Sequence, residues 1–234
     1  MLHEVTGPVK TQRPYRSPLR QEQAQTTAGR ILAAASRLFV ERGYTSTTMK
    51  EIAREAGVAE RTVYVAFADK RSLLFAVLDA AIASDARPVP VSEREWFREV
   101  LEEPDAHRQL ELFASAARAM HERTGELFRV LQSAAAVDPE VARHLTLHAE
   151  GQVEDERRLV ESLAAKGALR PGLSPDEALE TVWALTTPHF FAQVSQHGWS
   201  PSRYEQWLAD ALVRLLLPQT PAQSGHATDG ADAS

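Results

Sequence analysis

The 234-residue chain has no cysteine, which excludes a disulfide framework, thiolate chemistry and a cysteine-ligated metal. No apolar run approaches the roughly 20 residues of a membrane span. The N-terminus is polar and basic and lacks the apolar segment of a signal peptide. These absences point to a soluble protein of the cytoplasm. No stretch alternates apolar and polar residues as a half-buried strand does, so the expected fold is all-α. There is no nucleophile–base constellation, glycine-rich phosphate loop or HExxH motif, which argues against an enzyme and against a resident cofactor. The length allows one to two domains with a sizeable core.

What is present is uneven in charge. The net −6 divides into +5 over residues 1–71, with 12 Lys/Arg against 7 Asp/Glu, and −11 over the rest. A basic third on an acidic body suits contact with nucleic acid at one end only.

The most informative stretch is residues 43–70, GYTSTTMKEIAREAGVAERTVYVAFADK. Thr48 followed three residues later by Glu51 is a capping box. Met49, Ile52, Ala53 and Ala56 then recur at helical spacing. Gly57 supplies the left-handed residue that ends a helix, and Val58 is a candidate for the turn. A second short helix over residues 59–66 offers Glu60, Arg61, Thr62 and Tyr64 outward and keeps Val63 and Phe67 for packing. Two short helices about a glycine turn, the second with a basic residue and hydroxyls near its start, suit the major groove.

Gly43-Tyr44, Thr47-Thr48, Ile52-Ala53, Ala56-Gly57-Val58, Thr62-x-Tyr64, Phe67 and Asp69-Lys70 stand in an order and spacing that resemble the DNA-binding domain of tetracycline-repressor (TetR) family regulators. The resemblance covers residues 25–85, and residues 169–217 resemble the family's last two helices. It implies an N-terminal three-helix helix-turn-helix domain followed by a C-terminal helical domain for ligand binding and dimerisation. The expected divisions are a flexible basic arm (1–24), the DNA-binding domain (25–85, motif 48–67), the second domain (91–217) and a disordered tail (218–234). The implied function is a ligand-responsive homodimeric repressor on a palindromic operator in double-stranded DNA, released by a small apolar or aromatic effector. An activator of the same family, and a helical ligand-binding or adaptor protein that does not touch DNA, stay open.

Along the chain the first helix is expected over 27–42, and a fourth begins after the cap Asp69. Pro88 and Pro90 mark a seam, and Ser92-Glu93-Arg94-Glu95 reads as a capping box. Helices over 105–123 and 125–136 follow. Asp138-Pro139 opens a long helix to Lys166, where Gly167 stops it. Ser174-Pro175-Asp176-Glu177 opens one that runs to Gly198, and Ser200-Pro201 opens the last.

Within the DNA-binding unit, Arg61 is the candidate base reader, since arginine can give guanine two hydrogen bonds. Thr62 and Tyr64 resemble the family's phosphate-contacting pair, and Lys70 matches the lysine that opens its fourth helix. Thr47, Thr48 and Lys50 complete the candidate phosphate contacts. Two residues depart from the family pattern. Ala59 stands where Ser or Thr is usual and leaves that helix without a side-chain cap, and Glu60 puts a carboxylate where phosphate would repel it but cytosine N4 could donate to it. In the arm, Lys10, Arg13, Arg16 and Arg20 could follow the backbone.

For the second domain, Trp96, Phe97, Phe113, Met120, Phe128, Trp183, His189 and Phe190 are candidate effector-lining residues, and His189 or His121 a polar anchor. A helical core would use most of the same side chains. Val182, Leu185, Trp207, Leu208, Ala211, Leu212 and Leu215 are the candidate dimer interface, a four-helix arrangement that the resemblance implies. Glu140, His144 and His148 share a helix face, but no third ligand is fixed and no metal is expected. Residues 150–158, mostly charged, read as a solvated face.

Overall fold

In the computed structural model of the chain, residues 18–83 and 91–219 are described, and among them there are ten α-helices and no strand. The first four are α1 (Pro18–Arg42), α2 (Met49–Ala56), α3 (Glu60–Ala66) and α4 (Lys70–Ala83). After a 3-10 turn at Val91–Glu93 come α5 (Glu95–Glu102), α6 (Ala106–Ala135) and α7 (Pro139–Ala165). The chain ends in α8 (Pro175–Thr186), α9 (Pro188–Gln196) and α10 (Pro201–Leu216).

Local chemistry accounts for most of these boundaries. Asp138 accepts from the Glu140 amide with Pro139 in the first turn of α7, and Gly167, at φ +66°, lies just past its end. Ser174 and Glu177 form a full capping box on α8. Ser200 caps α10 through the Arg203 amide.

Four expectations need correction. Helix α1 starts at Pro18, so residues 18–24 are helical and do not belong to an arm; residues 1–17, which include Lys10, Arg13 and Arg16, lie outside the described residues. So do Pro88, Pro90 and residues 220–234 of the expected tail. The Ser92 box does not form: Ser92 sits inside the 3-10 turn, and the N-cap of α5 is Arg94, whose side chain does not bond the first-turn amides. Gly125 does not divide α6, because one interior glycine costs only about 1 kcal/mol, and Leu127, Val130 and Leu131 anchor the helix beyond it. The helix after Ser174 breaks at Thr187-Pro188: proline has no amide for the ladder, and Thr187 caps the new helix through the Phe190 amide.

The helices bury two cores. One joins Ile31, Leu38 and Phe39 of α1, Ile52 of α2, Val63 of α3 and Leu73, Leu74 and Leu78 of α4, and it extends to Leu127, Leu131 and Ala134 at the end of α6. The other gathers Leu110, Phe113, Leu159, Leu163, Val182, Tyr204, Leu208 and Leu212. Helix α6 is thus an unbroken rod shared by both. The Arg123 guanidinium on it donates to the Ala81 and Ile82 carbonyls at 2.9 and 3.3 Å and so caps the end of α4.

Candidate nucleic-acid interface

The site begins at Thr48. Its hydroxyl accepts from the Glu51 amide at 3.2 Å, and Glu51 Oε2 accepts from the Thr48 amide at 3.0 Å. These bonds to Thr48 hold the Glu51 carboxyl below the usual carboxylate range. Met49, Ile52, Ala53 and Ala56 turn the buried face of α2 inward. Gly57 then takes φ +64°, ψ +41°, and the next amide, Val58, returns to the Ala53 carbonyl at 3.0 Å. Arg30 of α1 donates to the Ala56 and Gly57 carbonyls and so fastens the turn from behind.

Helix α3 opens at Ala59 without a side-chain cap, as its sequence implies. Val63 is fully buried and sets the rotation of the helix. Glu60, Arg61 and Tyr64 are exposed and Thr62 is half-buried, so the residues expected to meet DNA share one outward surface. Lys50 is also exposed on α2. Val65, absent from the candidates drawn from the sequence, is 79% exposed on the same surface. Its position one turn after Arg61 was the available signal.

Two of the expected phosphate contacts face inward. Thr47 is fully buried, and its hydroxyl lies 2.9 Å from the Gly43 carbonyl and 3.2 Å from that of Leu38. The Lys70 ammonium donates to the Tyr44 and Thr47 carbonyls at 2.8 and 3.0 Å. Both side chains brace the α1–α2 loop through its carbonyls. The Thr48 hydroxyl is committed to the cap.

The candidate effector residues do not converge. Phe113 is buried in the second core, with Trp96 and Phe190 packed against it, and Phe97 is buried with its ring 5.5 Å from that of Trp96. Phe128 packs against the first core, with its ring 5.2 Å from His148. Met120 is half-buried, while His189 and Trp183, the latter at 45%, are exposed. An open groove of about 640 Å³ between α6 and α10, lined by His107, Glu111, Ser115, Glu205 and Val213, contains none of them.

His121 is different. It is buried against Phe191 and Tyr204, and neither ring nitrogen has a hydrogen-bond partner among the described residues. Burial pushes its pKa down to about 4, with the Thr186 carbonyl opposing weakly. Nearby, Glu156 Oε1 accepts from the Thr186 hydroxyl at 2.6 Å and from Gln152 at 2.8 Å, while Oε2 is unpaired. Burial raises the Glu156 pKa and lifts that of Asp155 to about 6. The run 150–158 is therefore only partly a solvated face. His144 stacks on Phe75 at 3.7 Å, and the described residues hold no cluster suited to a metal.

The expected dimer residues also divide. Val182, Leu208 and Leu212 are fully buried within the chain itself and cannot meet a partner. Leu185, Trp207 and Ala211 are half-buried, and Leu215 is 43% exposed. No helix among the described residues is long and apolar enough to cross a membrane.

Comparison with known proteins agrees with this geometry. The family model for bacterial regulatory proteins of the tetR family matches residues 31–77. The chain is 45% identical over 65 residues to the uncharacterized HTH-type transcriptional regulator Mb2274c of Mycobacterium bovis, a match covering 28% of this chain and 34% of that protein. It therefore spans about a third of the length of the curated relatives that it matches first. The SmeT–triclosan complex has the same fold, with a TM-score of 0.66 and 18% identity over 89% of this chain and all of that one. NalD, the secondary repressor of the MexAB-OprM multidrug efflux pump in Pseudomonas aeruginosa, gives 0.61 and 22% over 83% of this chain and 98% of that one. Residues 31–77 thus match the helix-turn-helix of the tetR family of bacterial regulatory proteins, and the described chain shares the fold of those solved structures.

Proposed function

We propose that the chain is a DNA-binding transcriptional regulator, a homodimeric repressor that holds a palindromic operator and releases it when a small apolar or aromatic effector binds the second domain. The observation that carries this is the outward surface of α3, where Arg61 stands opposite the buried Val63 with Thr62 and Tyr64 at its flanks. In this reading Arg61 meets a guanine edge, Glu60 accepts from a cytosine, and Thr62, Tyr64, Lys50 and the Ala59 backbone follow phosphates, while Thr48 holds the start of α2. Thr47 and Lys70 act indirectly by shaping the loop.

One α3 reads one half-site. Two half-sites a helical turn or a multiple of it apart, about 34–36 Å or its multiples, require a second copy about a two-fold axis. Trp183 and Leu215, with the partly exposed Leu185, Trp207 and Ala211, form the surface for it. The effector would lie in the second core beside Phe191 and Tyr204. Its polar anchor there is the unpaired His121 and not the exposed His189. Triclosan, which SmeT is seen to bind, is an aromatic compound of the expected kind. Because α6 crosses both cores and caps α4 through Arg123, a shift of α6 would move the DNA-binding unit. Release then follows if the effector binds the shifted dimer more tightly than the operator-bound one.

A gel-shift series with DNA from beside the chain's own gene tests the reading. Affinity should fall steeply with salt as counterions are released. A flat salt response, or no shift, overturns it.

A further inference from the structure

We propose that Val65 reads the 5-methyl group of a thymine in each operator half-site; the assignment rests on the DNA-binding reading above. At 79% exposure, Val65 is the most open of the large apolar side chains among the described residues. The buried Val63 fixes why. At about 100° per residue, Arg61 and Val65 each fall nearly opposite Val63, only about 40° from one another on the outer pole of α3. Tyr64 and Thr62 flank that pole.

Nothing in the chain's own packing explains a valine there. Helix α3 has seven residues and no side-chain cap, and a β-branched residue is a poorer helix former than the alanine beside it. One side chain is also far too small to dock a protein, since a specific interface buries roughly 800 Å² per partner. On the edges of bases in the major groove the apolar group is the thymine methyl, and small aliphatic side chains contact it. The pairing with Arg61 gives a register. Four residues of helix rise by about 6 Å, a little under two base steps of about 3.4 Å. Arg61 on a guanine therefore places Val65 against a thymine about two base pairs away.

The test starts by selecting preferred duplexes from a randomised pool with the full chain. Each thymine of the selected site is then replaced by deoxyuridine, which removes only the methyl group, and affinity is measured for wild type and V65A. One thymine per half-site, about two pairs from the guanine that R61A ceases to prefer, should weaken wild-type binding roughly fourfold on replacement, the worth of one buried methyl. V65A should bind the thymine and uracil duplexes alike, and V65I should keep the preference. Circular dichroism checks that both variants stay folded. If V65A keeps the wild-type thymine-to-uracil ratio, or no replacement matters, the assignment is wrong while DNA binding stands. If no duplex is enriched at all, the DNA-binding reading itself fails.

Discussion

The Lys70 ammonium lies over the Tyr44 ring, 4.3 Å from its centroid, while donating to that residue's own carbonyl at 2.8 Å. With the second bond to Thr47, it ties the start of α4 to the loop that sets the entry of α2. Partial burial lowers the lysine's pKa, yet its partners are the neutral carbonyls and a ring face. K70M should therefore act on stability before it acts on DNA. Loss of hydrogen bonds from a charged donor predicts a cost of about 1.5–3 kcal/mol, nearer the lower figure for a half-exposed group. Urea unfolding checks this; a variant as stable as wild type but weak on DNA would restore Lys70 as a direct phosphate contact.

Gly57 makes a second prediction. Its φ of +64° costs an alanine about 1–2 kcal/mol, and an added Cβ would stand 2.8 Å from Arg30 Nη2. That guanidinium holds the Ala56 and Gly57 carbonyls, so G57A should also loosen the angle between α2 and α3. Thermal melting should fall and operator affinity should drop further than the stability loss explains. Wild-type melting would show that the turn relaxes freely.

R61A should cost about 1–3 kcal/mol in operator binding and relax preference at one base pair. The side chain is exposed, so the melting temperature should not move. Competition gel shifts with single-pair operator variants measure both effects. Unchanged preference would remove Arg61 as the base reader.

Much of this is legible in the sequence, because the decisive signals are local. Thr48 with Glu51, Gly57, Asp138 with Pro139 and Ser174 with Glu177 act within a few residues of themselves. What was not legible depends on distant partners. Lys70 reads as a free cation until Tyr44, 26 positions earlier, is brought beneath it. Glu156 reads as one of a solvated run until Thr186 and Gln152 close over it. Two apolar faces on α8 and α10 were visible, but only packing against α6 and α7 decides that Val182, Leu208 and Leu212 are the inward ones. Gly125 and Pro188 show the opposite error in weighing local signals: a lone glycine is a weak breaker, whereas an interior proline removes a ladder bond.

The exposed apolar residues of α8 and α10 predict the assembly. W183E with L215E should leave a folded monomer by light scattering at micromolar concentration, because the inner residues Leu208 and Leu212 are untouched. Operator affinity should collapse, since one recognition helix alone cannot span two half-sites. A dimer that survives both changes would place the two-fold axis elsewhere.

His121 predicts a pH dependence with a definite sign. Its pKa is about 4 in the fold, against about 6.5 for a free imidazole, so between those values the unfolded chain binds the extra proton. Stability from this residue is intact above pH ~6.5 and is lost as pH falls toward 4, by about 3 kcal/mol at the outside. Asp155, lifted to about 6, runs the other way: its protonated form is favoured in the fold, so its contribution declines as pH rises through that range. The wild-type profile is thus a sum of opposed slopes, and only a comparison isolates the histidine. H121L removes an unpaired polar ring from contact with Phe191 and Tyr204 and should be neutral or stabilising at pH 7. Its advantage over wild type should then widen by about 2 kcal/mol as pH falls from 6.5 to 5. Parallel stability curves for the two proteins across that range would mean that His121 gains a proton partner in solution, and that the buried imidazole is not the unsatisfied group available to an effector.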